Sequence, residues 1–106
     1  MQKLIVLLLL AFPVTAFAAD IEVKLVIANH RFQPSTVNVP TGQKIKLVIE
    51  NRDATPEEFD SHALNREKVI PAKSTASIYI GPLAPGNYPF VGEFNEKTAN
   101  GVVVAK

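Results

Sequence analysis

The sequence predicts an all-β fold, a Greek-key antiparallel β-sandwich, on three observations. Short runs alternate apolar and polar residues, turn residues separate them, and no stretch of useful length repeats with a helical period. At 106 residues the chain holds one small domain. It has no cysteine, so no disulfide staples it and a packed core must carry folding.

The first element reads as a leader. Lys3 precedes the apolar run "LIVLLLLAF", followed by Pro13 and by Ala16 and Ala18 around Phe17. That is the pattern of a secretory signal peptide over residues 1–18, cleaved after Ala18, and the run is too short to span a bilayer comfortably. The expected product is a periplasmic domain of residues 19–106 that does not cross the membrane.

The strands follow. "IEVKLVIA" (21–28) sets Ile21, Val23, Leu25 and Ile27 against Glu22, Lys24 and Val26. "TVNVP" (36–40) is brief and ends in the turn Pro40-Thr41-Gly42. "KIKLVIEN" (44–51) puts Ile45, Leu47 and Ile49 inward and Lys44, Lys46 and Glu50 outward. "STASIYI" (74–80), "GNYPFVG" (86–92) and "GVVVA" (101–105) complete the set, with Pro89 placing its strand at an edge or an end. "LAPGNY" (83–88) reads as a tyrosine corner, in which the Tyr88 hydroxyl bonds back to backbone upstream. Phe32, Phe59, Phe90 and Phe94 are expected to plug the core.

One segment has no period. "NRDATPEEFDSHALNREK" (51–68) reads as a long connection, with a helical turn through "ALNREK" as one option. It gathers Asp53, Glu57, Glu58, Asp60, His62 and Glu67 around Phe59, either as a solvated acidic loop or as a functional one.

Composition excludes several functions. Without residues 1–18, which hold one lysine, ten basic residues face ten acidic ones, so no clustered positive charge awaits a nucleic acid or an anionic membrane. The one methionine, Met1, leaves with the leader, so the mature chain has neither thiolate nor thioether. A blue-copper centre needs a cysteine ligand and Cu(I) favours soft sulfur; this chain supplies neither. No phosphate loop or nucleophile elbow is present, and Ser61-His62 are neighbours in sequence without the geometry of a triad. The chain reads as a non-enzyme.

"FQPSTVNVPTGQKIKLVIEN" (32–51), a loop, and "GNYPFVGEF" (86–94) together resemble the cupredoxin family over essentially the whole mature chain. More narrowly, "ATPEEFDSHALNREKVI" with "YPFVGEFNEKTANG" is similar to the cupredoxin-like proteins and domains of bacterial periplasmic ferrous-iron uptake systems. The resemblance implies a cupredoxin-like sandwich with a metal pole where two loops meet. In "PEEF" it puts Glu57 at the first histidine position of a copper protein, with Glu58 beside it. Gly92 falls at the cysteine position, Asn95 at the second histidine and Thr98 near the methionine. All four blue-copper ligands are replaced, so no type 1 copper is expected.

What remains at the expected pole is oxygen-rich. Glu57, Glu58, Asp60, Glu93 and Glu96, with the imidazole of His62, form a candidate site for Cu(II), iron or another harder ion. Adjacent Glu57 and Glu58 would point to opposite faces of a strand. His30 either joins this pole or caps the first strand. The resemblance then implies a protein that assists metal uptake, of ferrous iron, through such a site or by docking to periplasmic and membrane components of the uptake system. A metal-free interaction module is the alternative, and copper electron transfer is disfavoured.

Overall fold

The computed structural model describes Lys3 and residues 21–106. The expected cleavage point after Ala18 and the rest of the leader lie outside the described residues. Among the described residues no helix is long and apolar enough to cross a membrane.

Nine strands form among the described residues: β1 (Ile21–Ala28), β2 (Arg31–Gln33), β3 (Thr36–Val39), β4 (Ile45–Asn51), β5 (Glu57–Ser61), β6 (Arg66–Ile70), β7 (Thr75–Ile80), β8 (Gly86–Gly92) and β9 (Asn100–Ala105). A 3-10 turn, Glu93–Asn95, follows β8. One sheet has the order β2-β1-β4-β7 and the other β3-β9-β8-β5-β6. The all-β sandwich is as expected, but both sheets are mixed. β1 runs parallel to β4, and β3 runs parallel to β9. Side-chain alternation reports which face a residue takes and carries no information on the direction of the neighbouring strand.

Between the sheets the alternation builds the core. Leu25 and Ile27 of β1 and Ile45, Leu47 and Ile49 of β4 are fully buried, each contributing about 1.5–3 kcal/mol of transfer free energy. Phe32, Phe59 and Phe90 pack as a three-ring cluster, with Phe32 edge-on to Phe90 at 5.0 Å and to Phe59 at 6.1 Å. Phe94 is the exception to the expected core set, since it is 52% exposed on the 3-10 turn.

The Tyr88 hydroxyl donates to the Ala84 carbonyl at 2.8 Å, which closes the tyrosine corner. Pro89 departs from expectation, because β8 lies inside its sheet, between β9 and β5. Pairing of β8 with β5 stops at Asp60 and Val91, so no ladder partner calls for an N–H from Pro89 on that side. The Pro89 carbonyl instead accepts from the Ser61 hydroxyl at 2.8 Å.

The aperiodic segment holds the hairpin β5–β6 in place of a long connection or a helical turn. β5 does alternate, with Glu57, Phe59 and Ser61 inward and Glu58 and Asp60 outward. Two of the three inward residues are polar, which hides the strand from an apolar-polar test. The connection into β5 is held by buried Asn51, whose amide donates to the Thr55 and Ile70 carbonyls at 2.9 and 3.1 Å.

Candidate functional site

Residue 57 begins β5 and faces inward, so its side chain enters the gap between the sheets where β8 ends. Glu57 is 1% exposed. A buried carboxylate needs partners, and this one has three. Oε1 accepts from the backbone N–H of Glu58 at 3.0 Å and of Phe94 at 2.9 Å. Oε2 accepts from the Asn95 amide at 2.7 Å. No salt bridge reaches Glu57 among the described residues.

Gly92 makes room for this carboxylate. A Cβ there would lie 2.6 Å from the Glu57 Cδ and 2.7 Å from the Ala99 Cβ. The loop that follows is bonded to itself: Gly92 N–H donates to the Ala99 carbonyl, and Thr98 and Ala99 N–H both donate to the Asn95 carbonyl. Three of the four positions that the resemblance assigns to metal ligands therefore do converge. Glu57 touches Gly92 and hydrogen-bonds Asn95, while the Thr98 hydroxyl turns to the Asn95 carbonyl at 3.4 Å.

Glu58 and Asp60 occupy the opposite, outward face of β5. Glu58 lies one residue beyond the paired Phe59 and Gly92, which brings it beside Glu93, and Asp60 is opposite Glu67 on β6. The hydrogen bond with Glu93, partial burial, and the charges of Glu93, Glu67 and Asp60 push the Glu58 carboxyl up to about 7. Like charges this close favour a held proton over a second ionisation.

The remaining candidates do not join Glu57. Ser61 ends β5, four residues along an extended strand from Glu57, which is about 13 Å, and His62 lies beyond it. There His62 lines a shallow apolar depression with Ala63, Pro89 and Val91. Glu96 follows the 3-10 turn, its side chain exposed and its carbonyl accepting from the Asn100 amide at 3.3 Å. His30 sits in the β1–β2 turn with Asn29, both at positive φ, as a tight two-residue hairpin requires. Asp53 accepts both of their N–H groups, at 2.8 and 2.9 Å, and these bonds, that from His30 foremost, hold the Asp53 carboxyl below its ordinary range.

The residues at this pole do not fit a copper ion. Gly92 offers no donor, the Asn95 amide is turned to donate, and the inward carboxylate of Glu57 already accepts three hydrogen bonds. Among the described residues no three His, Cys, Asp or Glu side chains gather in a way that would hold a metal ion. Asn95 as the partner of Glu57 is the residue that sequence reasoning missed; its only signal was its place at the second histidine position.

Comparison with known proteins bears on the fold and family. The uncharacterized protein RP394 of Rickettsia prowazekii (strain Madrid E) is 44% identical over 84 residues, covering 79% of this chain and 67% of that one. Among solved structures, auracyanin A, a "blue" copper protein from Chloroflexus aurantiacus, superposes with a TM-score of 0.71 at 11% identity, over 83% of this chain and 100% of that one. The metal-binding domain of the Streptococcus pneumoniae D39 Cu(I)-exporting P-type ATPase CopA gives 0.70 at 13% identity, over 80% and 84%. At these identities the two structures share the fold. A family model for the cupredoxin-like domain matches residues 2–105, and the chain belongs to that family.

Proposed function

We propose that this chain is a periplasmic cupredoxin-like module that assists ferrous-iron acquisition by docking to periplasmic and membrane components of an uptake system. The observation that favours docking over an ion held at the pole is the Glu57 carboxylate, which occupies the pole and is spent on internal hydrogen bonds. With no sulfur in residues 19–106, a blue-copper electron-carrying centre has no ligand set. The iron assignment is supported by the resemblance of residues 54–70 and 88–101 to the ferrous-iron uptake group. Deleting the gene should lower uptake of radioactive Fe(II) under iron limitation, with recovery on complementation. Unchanged uptake would sink the iron assignment.

A second reading, an ion held by the Glu58 and Glu93 carboxylates alone, is favoured by their adjacency, with Asp60 and Glu67 contributing only through space because no three such side chains gather there among the described residues. A cation there would relieve the repulsion that now retains a proton. Calorimetric titration with Cu(II), Mn(II) and chelated Fe(III), in wild type and Glu58→Gln, tests it. Equal heats in the two proteins would remove it.

A further inference from the structure

We propose that Glu57 takes the structural place of a bridging ion, so that the chain closes its own pole and keeps it closed without metal. A bridging ion at this pole would tie β5 to the loop after β8, and Glu57 makes that tie itself. One of its three donors, the Glu58 N–H, belongs to β5, and the other two, the Phe94 N–H and the Asn95 amide, belong to the loop.

The polarity is inverted relative to a metal centre. A metal gathers lone pairs around a positive charge; here N–H donors gather around a negative one. A cation entering this position would have to displace donors from a carboxylate that is 1% exposed, and it would find no side chain at Gly92 to replace them. The space a side chain at position 92 would need is already filled by the Glu57 carboxyl group, 2.6 Å from an ideal Cβ. Because the loop from Gly92 to Ala99 is bonded to itself, fastening it at Phe94 and Asn95 holds it as one piece. The assignment is independent of the iron role, since it concerns what holds the pole and not what the module docks to.

Hydrogen exchange of the Phe94 and Glu58 amides, followed by NMR in chelator-treated protein, tests it. Wild type should protect both amides, and added Cu(II) or Mn(II) should not increase the protection. Asn95→Asp sets a second carboxyl against Glu57; at low pH the pair shares a proton, and at pH 9, with both groups ionised, exchange at Phe94 relative to Leu47 should accelerate roughly tenfold to a hundredfold, as expected for losing hydrogen bonds to a charged group. Adding Glu57→Gln should restore protection, because the Gln amide can donate to the new carboxylate while its Oε1 still accepts from Phe94 and Glu58. Amides of β4, such as Leu47, serve as the reference for global unfolding. Should Asn95→Asp fail to fold, the double variant and the chelated wild type still decide. The proposal is overturned if chelated wild type leaves Phe94 unprotected until metal is added, if Asn95→Asp exchanges like wild type at pH 9, or if Glu57→Gln brings no recovery.

Discussion

Gly92→Ala adds one methyl group at the point where the pole has least room. Gly92 has φ −88°, which any residue adopts, so backbone strain plays no part and the cost is steric. The new Cβ would lie 2.6 Å from the Glu57 Cδ, 2.7 Å from the Ala99 Cβ and 2.9 Å from the Glu57 Oε1. Carbon pairs settle at about 3.5–4.0 Å, so the two carbon contacts overlap by roughly 1 Å. Overpacking of this kind costs about 1–3 kcal/mol. Pushing the carboxylate off its donors adds about 1.5–3 kcal/mol for a charged hydrogen bond. Taking about 3 kcal/mol as the sum after partial relaxation, the midpoint of thermal unfolding should fall by roughly 12–24 °C for a domain of this size. Circular dichroism with heat and with urea measures it. Gly86→Ala is the control, since its nearest contact is 3.7 Å from Tyr88 and its stability should stay close to wild type. In a Glu57→Ala background Gly92→Ala should cost clearly less than alone. A Gly92→Ala protein within about 0.5 kcal/mol of wild type, the range of ordinary surface changes, would refute the reasoning.

Three further outcomes are expected. Folded Glu58 holds its proton up to about 7, whereas an ordinary glutamate releases it at 4.5, so stability should decline as pH rises between those values and then level off. Urea midpoints across that window should show the slope in wild type and lose it in Glu58→Gln. Any copper-loaded form of residues 19–106 should lack an intense blue colour, because that band needs a cysteine sulfur on Cu(II); a strong visible charge-transfer band from pure protein would contradict this. The exported protein should begin at Ala19, and a full-length intact mass would show that the leader is retained.

The strands that alternate clearly were legible in the sequence. Ile45, Leu47 and Ile49 face the core as the period in β4 requires, and the Pro-Gly turn before Tyr88 announces the bond to Ala84. The pole was legible only in part. Periodicity weighs side chains by hydropathy, so a strand with Glu57 and Ser61 on its inner face looks like a loop. The partner of Glu57 is Asn95, 38 residues away, and no local pattern links them. His62 is five residues from Glu57 in sequence, yet an extended strand carries it past the far end of β5. Phe94 looks like core by residue type. Its N–H is drawn inward to Glu57, and the 3-10 turn leaves the ring in solvent.

A pole closed by its own carboxylate also changes when the protein becomes ready for work. A module whose loops were tied by a captured ion would mature only after export and loading, and its usable fraction would follow the local metal supply. Here every atom of the tie, from Glu57 to Phe94 and Asn95, is encoded in the chain. On the proposed reading, closing the pole needs no metal-loading step after folding.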